Sequence, residues 1–263
     1  MKAWLFDVDG VLTNPEEKIA NPQILSEIAR RLENGDPVAL ATGRSTDFMR
    51  IRVVDPLKEL LNNPNQLQNF LAVGEKGGVW MSYSEGKEQE NVDPEIYMPQ
   101  ELVKKVKSLI KEEFSDVMFF DETKRTMIST EMNDGADMDK YHERQKALNE
   151  KLKEFIKDSQ GLELDPSVIA TDIQHKHVGK DLAVRHVLEW LRERGIKLSQ
   201  VIAFGDSKSD IAMAEEVHRQ GLPVKMIFVG KPSDIEGMEK PFPVVMTSKL
   251  FDKGTLEFLQ NYF

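Results

Sequence analysis

Residues Lys2 to Asn14 read KAWLFDVDGVLTN, and the meaning of the two acids in this stretch organises the rest of the chain. The apolar run through Trp4, Leu5 and Phe6, with Val8 just beyond, predicts a buried strand whose carboxyl end lies at Asp7. Asp7 and Asp9 stand two residues apart, so they share a face wherever the extended geometry continues. Carboxylates that close repel each other unless a cation sits between them or one holds a proton. Taken alone, the stretch admits a strand ending in an Asp-Gly turn, a partial calcium loop, or a paired-carboxylate site. The calcium reading lacks its third acid at the required spacing and the later Glu.

Bulk properties narrow the classes. At 263 residues the chain can bury a substantial core as one large domain or two modest ones. No apolar run approaches the roughly 18–20 residues that span a bilayer, and the start of the chain lacks the basic-then-apolar pattern of a signal peptide. A cytoplasmic protein without a membrane partner is expected. The absence of cysteine removes disulfides, Cys-zinc sites and thiol catalysis together. A net charge of −10 argues against a broad nucleic-acid surface, so any anionic substrate needs positive charge concentrated around its own site. Nothing in the sequence specifies an oligomeric state.

Strand-like stretches fall at Lys2–Phe6, Val38–Ala41, Phe70–Val73, Val201–Phe204 and Met226–Val229. Between the first two, Pro22–Asn34 carries Ile24, Leu25, Ile28 and Leu32 at helical spacing behind Asn21 as cap. Strands alternating with helices imply right-handed crossovers and a parallel sheet covered on both faces, with ligands at the strands' carboxyl ends. The middle of the chain has another texture. After the polar SEGKEQEN come a helix pattern at Gln100–Phe114, short strands at Val117–Phe120 and Thr126–Glu131, a charged helix at Met138–Lys157, and strands near Leu162–Leu164 and Val168–Ile173. Helix, strand, strand, repeated twice, predicts a small α+β unit with an antiparallel sheet. The expected fold is therefore α/β: a Rossmann-like three-layer core (1–80 and 176–263) interrupted by an inserted cap domain (81–175).

Three further stretches repeat the logic of the first. VIAFGDSKSD, Val201–Asp210, runs a strand into Gly205, Asp206 and Asp210. VALATGRS ends a strand at Thr42, where Gly43 permits close backbone approach to a ligand. VGKDLAVRHVLEWL opens a helix with Lys180, a cation at the positive end of the macrodipole, which is unfavourable without an anionic partner. Each has an ordinary structural reading as a capped strand-to-helix junction or a solvated terminus. In this order they resemble the four short motifs of the haloacid dehalogenase superfamily of phosphotransferases: Asp7–Thr13, Thr42, Lys180 and Gly205–Asp210. The α/β insert between the second and third motifs is similar to the cap of the subgroup that holds Cof-type sugar phosphatases, sucrose- and trehalose-phosphate phosphatases, archaeal phosphoglycolate phosphatases and phosphomannomutases.

That resemblance implies a Mg²⁺-dependent phosphomonoesterase acting on a small phosphorylated metabolite, a sugar phosphate or a phosphoglycolate-type acid. It makes Asp7 the nucleophile that forms an aspartyl-phosphate and Asp9 the acid, then base. Metal ligands would be Asp7, Asp206, Asp210 and, through its backbone carbonyl, Asp9. Thr42, Gly43 and Lys180 would hold the phosphoryl group, and Arg44 fits an anion contact there. The cap would close over the substrate and set specificity, with Asp121–Arg125 and His175–His177 as candidates to face the cleft, Lys124 and Arg125 for a second substrate anion. Two departures from the subgroup's pattern bear on substrate rather than on the chemical step: GEKGG puts Lys76 where Asn is usual, and Asp181 follows Lys180 where Gly is usual. A sugar phosphomutase of the same superfamily and a catalytically silent binding protein remain as alternatives, the latter disfavoured by six intact motif residues.

Overall fold

A computed structural model describes residues 1–14 and 19–262. In chain order the strands are β1 (Lys2–Phe6), β2 (Val38–Ala41), β3 (Phe70–Gly74), β4 (Val79–Ser84), β5 (Lys87–Val92), β6 (Met118–Phe120), β7 (Ile128–Met132), β8 (Leu162–Pro166), β9 (Ala170–His175), β10 (Gln200–Gly205), β11 (Val224–Phe228) and β12 (Val244–Met246). The helices are α1 (Pro22–Glu33), α2 (Thr46–Met49), α3 (Asp55–Leu60), α4 (Gln100–Leu109), α5 (Met138–Ile156), α6 (Lys180–Glu193), α7 (Ile211–Arg219) and α8 (Phe251–Asn261). A π-helical turn, Arg50–Val54, joins α2 to α3, and another, Ile110–Phe114, prolongs α4.

Two compact units result: 1–91 with 179–263, and 92–178. The first carries an eight-stranded sheet in the order β12-β11-β10-β1-β2-β3-β4-β5. Pairing is parallel from β12 to β3, and β4 runs antiparallel to β3. Its inner strands, β1, β2, β3, β10 and β11, are largely apolar at successive positions because both faces are covered. Trp4, Phe6, Leu40, Phe70, Ile202 and Phe204 pack on one side with α1, α3 and α8. Ala3, Leu5, Ala41, Val73, Ala203 and Phe228 pack on the other with α6 and α7. The Phe6 and Phe204 rings stack at 4.5 Å between centroids in the middle of the first layer. α1 begins as the sequence predicts, with the Asn21 side chain accepting from the Gln23 backbone N–H and Pro22 in the first turn. Asn21 also donates to Asp252 at 2.8 Å, tying the start of α1 to α8.

The second unit holds a four-stranded antiparallel sheet in the order β6-β7-β9-β8. α4 and α5 supply its core through Val106, Leu109, Tyr141, Leu148 and Leu152, packed on Met118, Ile128 and Ile173.

Residues 81–91, expected in the insert, pair with the large sheet instead. Ser82 and Met81 of β4 register against Leu71 and Ala72 of β3, and β5 forms the sheet's edge. The misreading has a physical cause. β5 is exposed or half-buried throughout, so its residues, KEQENV, carry no apolar signal. Hydrogen bonds and charge hold it: Arg50 pairs with Glu88 at 2.7 Å and with Glu90 at 3.1 Å, Tyr83 donates to Glu88 at 2.9 Å, and Thr46 donates to Glu90 at 2.8 Å. No helix among the described residues is long and apolar enough to cross a membrane.

Candidate active site

Three carboxyl-end junctions of the large sheet, after β1, β2 and β10, and the start of α6 bring the motif residues together. Asp7 follows β1 directly, and its backbone N–H donates to the Phe204 carbonyl at 3.1 Å, continuing the β1–β10 ladder by one residue. The chain then turns sharply. The backbone N–H groups of Leu12 and Thr13, at 2.9 and 3.1 Å, and the Thr13 hydroxyl, at 3.3 Å, converge on the Val8 carbonyl. Gly10 makes this turn at φ +70°, and a Cβ there would lie 2.2 Å from Asp206 Oδ2. Any larger residue would displace Asp206, so the glycine is what lets the first and fourth motifs meet.

Lys180, the first residue of α6, reaches across this ring of junctions. Its Nζ donates to Asp7 Oδ1 at 2.5 Å and to the Ala41 carbonyl at the end of β2 at 2.7 Å, and it lies 2.8 Å from Asp210 Oδ1. These partners supply the anion that a helix-opening lysine requires. Asp210 sits in the turn before α7, wholly buried, with its Oδ2 accepting from the backbone N–H groups of Asp206 and Ser207 and from the Ser207 hydroxyl. Asp206 follows β10 directly.

Asp7, Asp206 and Asp210 each present a carboxylate oxygen within 4.8 Å of the others. Burial, reinforced by the charges of Asp210 and Asp9, pushes Asp7 up to about 8 against the pull of Lys180. Burial and the neighbouring Asp210 raise Asp206 to about 7. Asp210 alone is lowered, because the Lys180 charge and the Ser207 hydrogen bonds outweigh its burial. Lys180 is held above its ordinary value by Asp210 and Asp7 despite its burial. One ammonium thus faces three carboxylates, and without a cation two of them, Asp7 and Asp206, hold a proton more tightly than a free carboxylate does. Asp210 Oδ1 is ion-paired to Lys180 but accepts no aligned hydrogen bond, which leaves it lone-pair capacity. An all-oxygen set short of positive charge fits a hard divalent cation such as Mg²⁺.

Thr42 follows β2 and is buried. Its backbone N–H donates to the Val73 carbonyl, while its hydroxyl accepts from the Arg44 N–H at 3.2 Å. Gly43 comes next. Arg44 engages the carboxylate of Asp9 in two parallel hydrogen bonds, Nε to Oδ2 at 2.8 Å and Nη2 to Oδ1 at 3.0 Å. This pairing was not visible in the sequence, where 35 residues separate the partners and nothing in either motif signals the other. The Asp9 side chain is thereby turned to Arg44 and stands outside the three-carboxylate group. Asp181 pairs with Arg185 one turn further along α6 at 2.9 Å, an ordinary helix ion pair in a first turn that favours acids. In the second unit, Asp121 closes a local turn by accepting from the Thr123 N–H and hydroxyl. The rings of His175 and His177 lie 5.0 Å apart at the end of β9.

A family model described as haloacid dehalogenase-like hydrolase matches residues 4–162 and 140–226. No curated protein matches the chain. Among solved structures, the C-terminal domain of a C. albicans trehalose-6-phosphate phosphatase superimposes with a TM-score of 0.69 at 14% identity, covering 98% of this chain and 91% of that one. A haloacid dehalogenase-like hydrolase from Bacteroides thetaiotaomicron gives a TM-score of 0.67 at 14% identity, over 100% and 99% of the two chains. The sucrose-phosphatase of Synechocystis, solved with sucrose and phosphate, gives 0.55 at 15%, over 98% and 96%. At these identities the likeness is one of fold.

Proposed function

The chain belongs to the haloacid dehalogenase-like hydrolase family, and from that premise we propose that it is a Mg²⁺-dependent phosphomonoesterase of a small phosphorylated metabolite, working through an aspartyl-phosphate. The observation that carries this reading is Lys180 bridging Asp7, Asp210 and the end of β2 beside Asp206. It concentrates a nucleophile, a fixed cation and metal-ligating carboxylates within one buried cluster. The phosphatases among the structurally similar proteins support the same class.

Each residue then has a stated task. Asp7 is the nucleophile: a carboxylate oxygen forms a bond to phosphorus as the ester P–O bond breaks, and the departing alkoxide takes a proton from Asp9. In the second half-reaction Asp9 removes a proton from water, whose oxygen bonds to phosphorus as the bond from phosphorus to Asp7 breaks, which restores the Asp7 carboxylate and releases inorganic phosphate. The two hydrogen bonds from Arg44 orient the Asp9 carboxylate, and at least one must be given up for Asp9 to pass a proton to the leaving group. Thr42 and Gly43 receive the phosphoryl oxygens, while Lys180 neutralises charge between them and Asp7. Asp7, Asp206, Asp210 and the Asp9 carbonyl would hold Mg²⁺, which supplies the positive charge that lets an anionic nucleophile approach an anionic phosphoryl group. The active protein, on this reading, is cytoplasmic and takes its substrate from small metabolites, and the unit formed by 92–178 acts as its cap.

Release of phosphate from p-nitrophenyl phosphate, sugar phosphates and phosphoglycolate, measured with Mg²⁺ and with EDTA and with Asp7→Asn as blank, tests the proposal. Metal-dependent release that the variant lacks supports it. Turnover by Asp7→Asn at the wild-type rate would remove Asp7 as nucleophile, and dependence on an added sugar bisphosphate would point to a mutase.

A further inference from the structure

The stretch Gly74–Gly78 is the least relaxed backbone near the site. Glu75 and Lys76, neither of them glycine, both take positive φ, 47° and 55°. Such a position suits glycine or asparagine, and a long cationic side chain does nothing to ease it. Its backbone is nevertheless pinned on two sides. The Lys76 N–H donates to the Thr42 carbonyl at 3.0 Å, and the Lys76 carbonyl accepts from the Gly179 N–H, next to Lys180, at 2.8 Å. One peptide therefore sits between the second and third motifs. The side chain follows the same direction. Lys76 Cε lies 3.7 Å, and Cγ 3.9 Å, from the point where a Cβ on Gly43 would stand. The half-buried stem thus runs over Gly43, and this puts the ammonium, about 1.5 Å beyond Cε, within reach of the Thr42–Gly43 segment.

Charge gives this placement a use. With a divalent cation and a phosphoryl dianion bound, Asp7, Asp206 and Asp210 against Lys180 leave the centre net negative, and the Arg44–Asp9 pair cancels itself. A second ammonium beside the phosphoryl oxygens relieves that imbalance.

We propose that Lys76 is a phosphoryl-binding residue of this enzyme, a second cation that contacts the substrate's phosphoryl oxygens across Gly43. The proposal rests on the phosphatase reading above and adds a contact to it. It also explains why a lysine occupies a backbone position that disfavours it.

The test uses inorganic phosphate as the probe. Its dissociation constant is measured by calorimetry with Mg²⁺ in excess for the wild type, Lys76→Met, Lys76→Arg and Lys76→Asn, alongside KM and kcat for p-nitrophenyl phosphate and the thermal midpoint of each protein. A charge-assisted hydrogen bond lost from an aqueous rim predicts phosphate affinity about tenfold weaker in Lys76→Met, with KM rising more than kcat falls. Lys76→Arg recovers most of the affinity. Lys76→Asn, which fits the positive φ, melts at or above the wild-type temperature and still binds phosphate as poorly as Lys76→Met; a merely structural lysine would instead be rescued by asparagine. Wild-type phosphate affinity in Lys76→Met or Lys76→Asn overturns the proposal while leaving the phosphatase reading intact. A wild-type protein that neither binds phosphate nor hydrolyses any ester overturns both.

Discussion

The two sheets solve opposite problems. In the large sheet both faces are buried, side chains of the inner strands are consumed in packing, and polar groups are left only where strands end. Its chemistry is therefore gathered at carboxyl-end junctions, where Asp7, Thr42 and Asp206 stand one residue beyond β1, β2 and β10. In the small sheet α4 and α5 cover one face, and polar side chains, buried Ser129 and Gln174 among them, alternate along the strands with the apolar ones. Those groups are satisfied locally: Ser129 donates to Asp172 at 2.6 Å and Gln174 to Glu163 at 3.0 Å. A sheet apolar on both faces forces function to its ends, whereas one apolar on a single face keeps polar side chains that pair with one another.

The sharpest way to break this contrast is at the end of β1. Asp7→Asn is expected to cost at least about a thousandfold in kcat for p-nitrophenyl phosphate while the circular dichroism spectrum stays unchanged; residual turnover near the wild-type rate would mean the junctions do not carry the chemistry. Next is the packing that positions them. Phe204 stacks on Phe6 and meets Phe258 edge-on at 5.5 Å, so Phe204→Ala should destabilise the large-sheet unit by about 3–5 kcal/mol in urea unfolding. A loss below about 1 kcal/mol would show that the site does not depend on that layer.

A third test concerns the buried charge. Folded Asp7 holds its proton to about 8 and Asp206 to about 7, whereas a free carboxylate loses its proton near 3.8. In that window the metal-free folded chain binds more protons than the unfolded one, so its stability falls as pH rises. Asp210, lowered by Lys180, is ionised in both states there and adds no slope. Mg²⁺ competes with those protons, and the difference in melting temperature between Mg²⁺ and EDTA should widen from about pH 6 to about pH 8.5. A constant or narrowing gap, read by differential scanning calorimetry, contradicts a metal seated on these carboxylates. The smallest effect belongs to Asp181, whose pair with Arg185 is half exposed. Asp181→Ala should cost about 0.3–0.5 kcal/mol and leave turnover where it was, in keeping with an acid that serves the helix.

The same contrast explains what could be read from the amino-acid sequence. Strands buried on both faces, such as Val38–Ala41 and Val201–Phe204, are uninterrupted apolar runs, and the polar residues that end them stand out against that background. Asp7, Thr42, Asp206 and, four residues on, Asp210 were legible for this reason, and Lys180 as a cation at the start of a helix. The edge was not. β5 has the composition of a loop because its stability comes from backbone pairing and from Arg50, and β12 is only three residues long. Within the site, the grip of Arg44 on Asp9 and the placement of Lys76 over Gly43 depend on loop conformations, positive φ among them, which neither periodicity nor motif spacing encodes.

The position of β1 between β2 and β10 has a consequence for how the protein is made. Lys2 pairs with Gln200 and Phe6 with Phe204, so during synthesis one side of β1 waits for almost two hundred further residues before its partner exists. Until then the strand presents an unpaired apolar edge, a hazard that favours chaperone attention during synthesis. Asp7 follows one of those strands and Asp206 and Asp210 the other, so a chain interrupted before Asp210 lacks the three-carboxylate group.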